Sequence, residues 1–207
     1  PIDKRAIDNV AQEIQQNVDT QEARRVYDSP SKGVLWGWEV PAYVWTKAIA
    51  TGTFLMMAVW HFFNGGLESS SEMAGLITTL VFMGLTGGLL VKDIDRPDRF
   101  LYVLLRPQWK SWLVRGAYII TGFGGFVSLK LLDNYLQLGL DWLWIPGLVF
   151  AGLGAVYTAF LFNQARARDL WQTPIQSAIH MLVHAIMAGS VVMMIIAPES
   201  SQWMANI

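Results

Sequence analysis

The chain has 207 residues, of which 53% are hydrophobic and 15% charged, where soluble domains carry about 25% charged residues. A net charge of -1 excludes the dense basic face that nucleic-acid binding requires. The lack of any cysteine excludes thiolate-held iron-sulfur clusters, disulfides and thiol nucleophiles. Residues 48–67, 73–91, 142–165 and 170–198 contain no Asp, Glu, Lys or Arg. A bilayer-spanning helix needs about 20 apolar residues, so these runs imply an all-α, polytopic membrane protein.

Residues 1–35 read as a polar N-terminal arm. Ile7, Val10, Ile14 and Val18 keep helical spacing there, which predicts one amphipathic helix before the turn signals at Ser29 to Gly33. The arm lacks the basic start, apolar core and small-residue cleavage site of a secretory signal. Its first residue is Pro1 rather than Met, which leads us to expect a trimmed chain. Residues 36–198 form the expected transmembrane bundle, and 199–207 a short polar tail.

Five spans are predicted, at Pro41 to Phe63, Met73 to Val91, Ser111 to Leu132, Ile145 to Phe162 and Pro174 to Ile196. The third is interrupted by Arg115 and Lys130, both near enough to its ends to snorkel. Small residues let helix backbones approach. Gly84, Gly87 and Gly88, then Gly122, Gly124 and Gly125, then Gly147, Gly152 and Gly154 are the expected contact points. Trp36, Trp38, Trp109, Trp112, Trp142, Trp144 and Trp171 fall at span ends, where indoles favour the headgroup level. Outside the spans, one side of the membrane holds twelve Lys and Arg residues and the other none. The positive-inside rule then places the N-terminus, second loop and fourth loop in the cytoplasm, as expected of a multi-pass inner-membrane protein.

Glu39, Tyr43 and Lys47 recur every fourth residue at the start of span one and therefore share one helix face. An ionisable group in hydrocarbon costs roughly 2.5 to 3.5 kcal/mol on the insertion scale, so Glu39 and Lys47 are expected to face the bundle interior with partners. A structural salt bridge and a proton-accepting wall for a buried polar headgroup both satisfy that requirement. The three histidines argue against paired haem ligation. By helical rise His61 lies roughly 30 Å from the cytoplasmic edge, and His184 roughly 15 Å. His180 and His184 form an i, i+4 pair with no third metal ligand beside them, which favours a hydrogen-bonded structural role over a proton relay. The second loop, KDIDRPDRFLYVLLRPQWK, combines alternating charges with a central apolar stretch. That stretch suggests burial against the bundle or a partner.

Three segments, in order along the chain, resemble the NrfD or polysulfide-reductase membrane-subunit family. WGWEVPAYVWTKAIATGTFL is similar to the family's Trp-x-Trp, acidic, Pro, Tyr entry to its first helix. KDIDRPDRFLYVLLRPQWKSWLVRGAY is similar to its Asp, Arg-Pro, Arg-Phe loop, although Asp95 stands where Gly is common. YTAFLFNQARARDLW followed by TP is similar to the Tyr-Thr end of the fourth helix and the Trp and Pro that open the fifth. The family usually has eight or more spans, so the five expected here are either part of such a fold or a shortened version of it.

The resemblance implies a membrane-anchor subunit of a multi-subunit respiratory oxidoreductase. Such a subunit holds no haem or iron-sulfur cluster of its own and binds a quinone, menaquinone or ubiquinone, beside a docked iron-sulfur subunit that serves a catalytic subunit. Carried over residue by residue, it places Glu39, Tyr43 and Tyr157 at the quinone headgroup; the candidate roles are then proton carrier for Glu39, quinone contact for Tyr43, Tyr157 and Trp38, and charge partner tuning Glu39 for Lys47. Asp95, Arg96, Arg99 and Arg106 in the second loop, with Arg166 and Arg168 in the fourth, are then expected to meet the partner. A proton- or ion-translocating module and a structural anchor without a live quinone site are the alternative readings.

Overall fold

The computed structural model describes residues 37–93, 105, 107–164 and 173–198. Their regular elements are all helices, with α1 at Glu39–Asn64, α2 at Ser69–Asp93, α3 at Trp112–Leu136, α4 at Trp144–Gln164 and α5 at Pro174–Ile196. A 3-10 turn, Asp141–Leu143, leads directly into α4. All five helices are long and apolar enough to cross a membrane, and the chain is an integral membrane protein. The N-terminal arm with Trp36, the loop residues Asp95, Arg96, Arg99 and Arg106, and Arg166, Arg168 and Trp171 lie outside the described residues.

The helices run past the apolar edges that predicted them, most of all at the start of α2 and the end of α3. The added turns carry Glu72 and Asp133, whose charges are neutralised by Lys130 and so do not end the helix. At the end of α1, Gly65 adopts φ 83° and donates its N–H to the His61 carbonyl at 3.0 Å, closing the helix with a left-handed cap. Trp60 Nε1 donates to the Gly66 carbonyl at 3.0 Å and fixes the turn into α2. Pro174 opens α5, where its missing N–H is no loss.

Contacts at the helix ends show that successive helices alternate in direction. Glu39 at the start of α1 meets Lys92 at the end of α2, and the Trp112 N–H at the start of α3 donates to Gln164 Oε1 at the end of α4. On the opposite face, Ser69 of α2 donates to Asn134 of α3. The most apolar 18-residue window of α1 is 67% buried, against 22% in α3, which makes α1 the central helix.

α1 and α5 approach backbone to backbone at Gly52 and Gly189. A Cβ on Gly52 would lie 2.7 Å from the Ala185 carbonyl carbon and 2.9 Å from the Gly189 nitrogen. Of the glycines expected as contact points in spans two to four, Gly122, Gly147 and Gly154 do meet Phe150, Phe54 and Thr51 of another helix, and the remaining six are corrected. Positions Gly84, Gly87, Gly88, Gly124, Gly125 and Gly152 face open space. Glycine density marked them, whereas what brings two backbones together is a matched pair on facing helices.

Trp144 is a second correction, since its indole leaves the headgroup level and is 1% exposed. It packs on Phe54 at 5.2 Å and stacks on His61 at 5.1 Å between ring centroids. The 3-10 turn directs the chain inward at this point, whereas Trp38, Trp109 and Trp142 remain exposed.

Candidate functional site

The polar stripe on α1 descends from the membrane edge in three steps. At the edge, Glu39 forms an ion pair with Lys92 at 3.3 Å, and the Lys92 ammonium also lies 4.3 Å from the centre of the exposed Trp38 ring. Glu39 and Lys47 are therefore not partners, contrary to the expectation from their shared face. Eight residues along a helix span about 12 Å, too far for an ion pair, whereas antiparallel packing brings the end of α2 beside the start of α1.

One turn deeper, Tyr43 is 3% exposed among Val40, Phe162, Ala178 and Met181, with its ring 6.5 Å from that of Phe162. The helix faces of α1, α4 and α5 meet here, and alanines at 159 and 178 leave room for the phenol.

Lys47 lies one further turn in and is 2% exposed. Its Nζ donates to the Ala155 carbonyl at 3.0 Å and to Thr158 Oγ1, and it stands 4.9 Å from the centre of the Tyr157 ring. Thr158 Oγ1 is also 2.9 Å from Met181 Sδ, which ties α4 to α5. Among the described residues no carboxylate lies within ion-pairing distance of Lys47. The Tyr157 ring fits because residue 116 of α3 is glycine, where a Cβ would lie 2.6 Å from Tyr157 Cδ2. The Tyr157 hydroxyl is buried and has no hydrogen-bond partner among the described residues. Buried hydroxyls usually find a partner, so an orphaned one points to a ligand or a water.

A cavity of about 430 Å³ opens beside this stripe, between α1 and α5, and Lys47, His180 and His184 supply its polar lining. The two imidazole centroids are 4.2 Å apart, and both side chains are exposed on α5. Three of the sequence-derived residues, Tyr43, Lys47 and Tyr157, thus come together in the interior, while Glu39 and Trp38 stay at the edge with Lys92. The role of Lys92 was missed, although its position as the first cation after span two, which runs antiparallel to span one, was a usable signal. The partners Ala155 and Thr158 carried no signal of their own, because a carbonyl and a hydroxyl in an apolar helix look like packing.

A second polar cluster sits at the other membrane face. Lys130 is 3% exposed and contacts Asp133 at 2.7 Å, Asp141 at 3.5 Å and Glu72 at 3.6 Å. It does not snorkel, because three carboxylates from α2, α3 and the 3-10 turn converge on it. Asp133 also accepts the Leu140 N–H at 2.8 Å and so holds the turn between α3 and α4.

Residues 28–201 match the family model described as polysulphide reductase, NrfD. No curated protein and no solved structure matches the chain.

Proposed function

Because the chain belongs to the polysulphide reductase NrfD family, whose members are membrane subunits of quinone-interacting oxidoreductase complexes, we propose that it binds a quinone or quinol and supports electron exchange with a docked iron-sulfur subunit. The observation that carries this reading is the buried, unpartnered hydroxyl of Tyr157 beside Lys47. Both groups donate hydrogen bonds, and a quinone ring presents two acceptor oxygens. When bound, the quinone supplies the two-electron, two-proton chemistry, and the protein supplies position and electrostatics.

The division of work along the stripe follows from burial. Tyr157 and Lys47, both buried, hold and orient the headgroup, and Tyr43 closes the site toward the edge. Glu39 is the proton carrier, because it stands where the stripe meets water and a carboxylate exchanges protons readily. Lys92 keeps Glu39 in place and, with Trp38, seals the entrance. The loops that carry Asp95, Arg96, Arg99, Arg106, Arg166 and Arg168 form the docking face for the iron-sulfur subunit on the cytoplasmic side of the inner membrane.

Glu39→Gln tests the assignment. The amide retains an acceptor for Lys92 but cannot carry a proton, so quinol turnover by the assembled complex should fall by at least tenfold. Turnover within twofold of wild type would remove Glu39 from the mechanism.

A further inference from the structure

The cavity between α1 and α5 has the character of a ligand pocket. Its volume of about 430 Å³ falls within the range of about 300 to 1,000 Å³ typical of small-molecule sites, which are mostly apolar with a few convergent polar groups. Here the apolar lining includes Trp45, Met181 and Ala188, and the polar groups are Lys47, His180 and His184.

Depth limits what can occupy it. α1 and α5 start on the same membrane side, and by helical rise Lys47 lies about 12 Å from the start of α1, with His180 and His184 about 9 and 15 Å from the start of α5. Three polar groups on two helices therefore share one level, well inside a hydrocarbon layer about 30 Å thick. A lipid phosphate does not reach that level without carrying its charge into hydrocarbon. An uncharged ring with hydrogen-bonding oxygens does.

The chemistry of the walls agrees. Among the described residues, Lys47 has a carbonyl, a hydroxyl and a ring face for company and no carboxylate. His180 and His184, whose rings lie 4.2 Å apart, have no hydrogen bond to any of the described residues, although imidazole both donates and accepts. Imidazoles without a hydrogen-bond partner among the described residues, facing a buried ammonium with a further N–H to donate across one cavity at membrane depth, are arranged to be met by what enters it.

We propose that the quinone ring is held in this cavity between Lys47 on α1 and the His180–His184 pair on α5, so that the two histidines are ring-binding residues. The proposal rests on the quinone reading above, keeps the ring at the depth of Lys47, and adds the α5 wall to the site. Tyr157 backs Lys47 from the α4 side, and Glu39 and Tyr43 become the path from water to the ring.

The test is equilibrium binding of a short-chain benzoquinone, decylubiquinone, to the purified complex, with a photoreactive azido-quinone mapped by mass spectrometry. Replacing both histidines by Leu should raise the Kd at least tenfold and abolish labelling of the segments 41–48 and 176–188. Replacement by Gln, which keeps a donor and an acceptor, should restore binding to within about threefold of wild type. Because both side chains are exposed on α5, leucine there suits a lipid-facing surface and the fold should persist. Ala188→Phe, which fills the cavity without altering its polar groups, should also block labelling. Unchanged binding in the Leu and Phe variants, or labelling confined to residues outside these segments, would overturn this placement and leave the quinone function standing. No binding by the wild-type complex would overturn the function itself.

Discussion

Lys47 and Lys130 are buried to nearly the same extent, at 2% and 3% exposure, and lie toward opposite faces of the membrane. Lys130 is surrounded by Glu72, Asp133 and Asp141, whereas among the described residues Lys47 has only neutral dipoles and an aromatic face around it. A buried cation with matched carboxylates is a structural network whose members depend on each other. A buried amine without them leaves electrostatic capacity unspent, and it adjoins a cavity. The same side chain thus closes the bundle at one end and equips a site at the other, and the surroundings rather than the residue type decide which.

The largest expected effect tests the closed end. Lys130→Met leaves Asp133 and Glu72 buried without a cation, and should destabilise the subunit by roughly 3 to 5 kcal/mol. The measurement is the thermal unfolding midpoint in detergent, and an unchanged midpoint would mean that the cluster is solvated and not structural.

Lys47→Met should cost less, because no charge is left behind. The Ala155 carbonyl and the Thr158 hydroxyl each lose one donor, and an unmet buried polar group costs about 1 to 3 kcal/mol, with the lower end expected for a helical carbonyl. Assembly should persist while quinone turnover falls at least tenfold. A loss of stability equal to that of Lys130→Met would erase the distinction between the two lysines.

The third prediction leaves stability untouched and asks which face is which. The native chain has no cysteine, so a single introduced one reports cleanly. Ser70→Cys, near the Lys130 end, should be labelled by an impermeant thiol reagent added to intact cells, and Gln108→Cys should be protected. The opposite pattern would invert the topology and move the partner-docking loops outside the cytoplasm.

The helices were legible in the sequence because runs without charge are long and separated by charged loops. The path of α5 was read to the residue, from Pro174 to Ile196. The ends of α2 and α3 were read short because Glu72 and Asp133 look like terminators until Lys130 is seen between them. Of the site, the stripe Glu39, Tyr43 and Lys47 was visible from its spacing of four, and Tyr157 from the resemblance. Pairings between helices were not visible. Glu39 with Lys92, Lys47 with Ala155, and the cavity joining Lys47 to His180 and His184 all depend on how one helix is turned toward another. The spacing of residues within a single helix carries no record of that rotation.

The most direct test of the central claim is an experimental density map of the intact complex with a bound quinone or quinone-site inhibitor. The account predicts ring density against the first half of α1, beside Lys47 and within the α1–α5 cavity. Ring density found only away from α1, with that cavity filled by lipid tails or side chains, would contradict it.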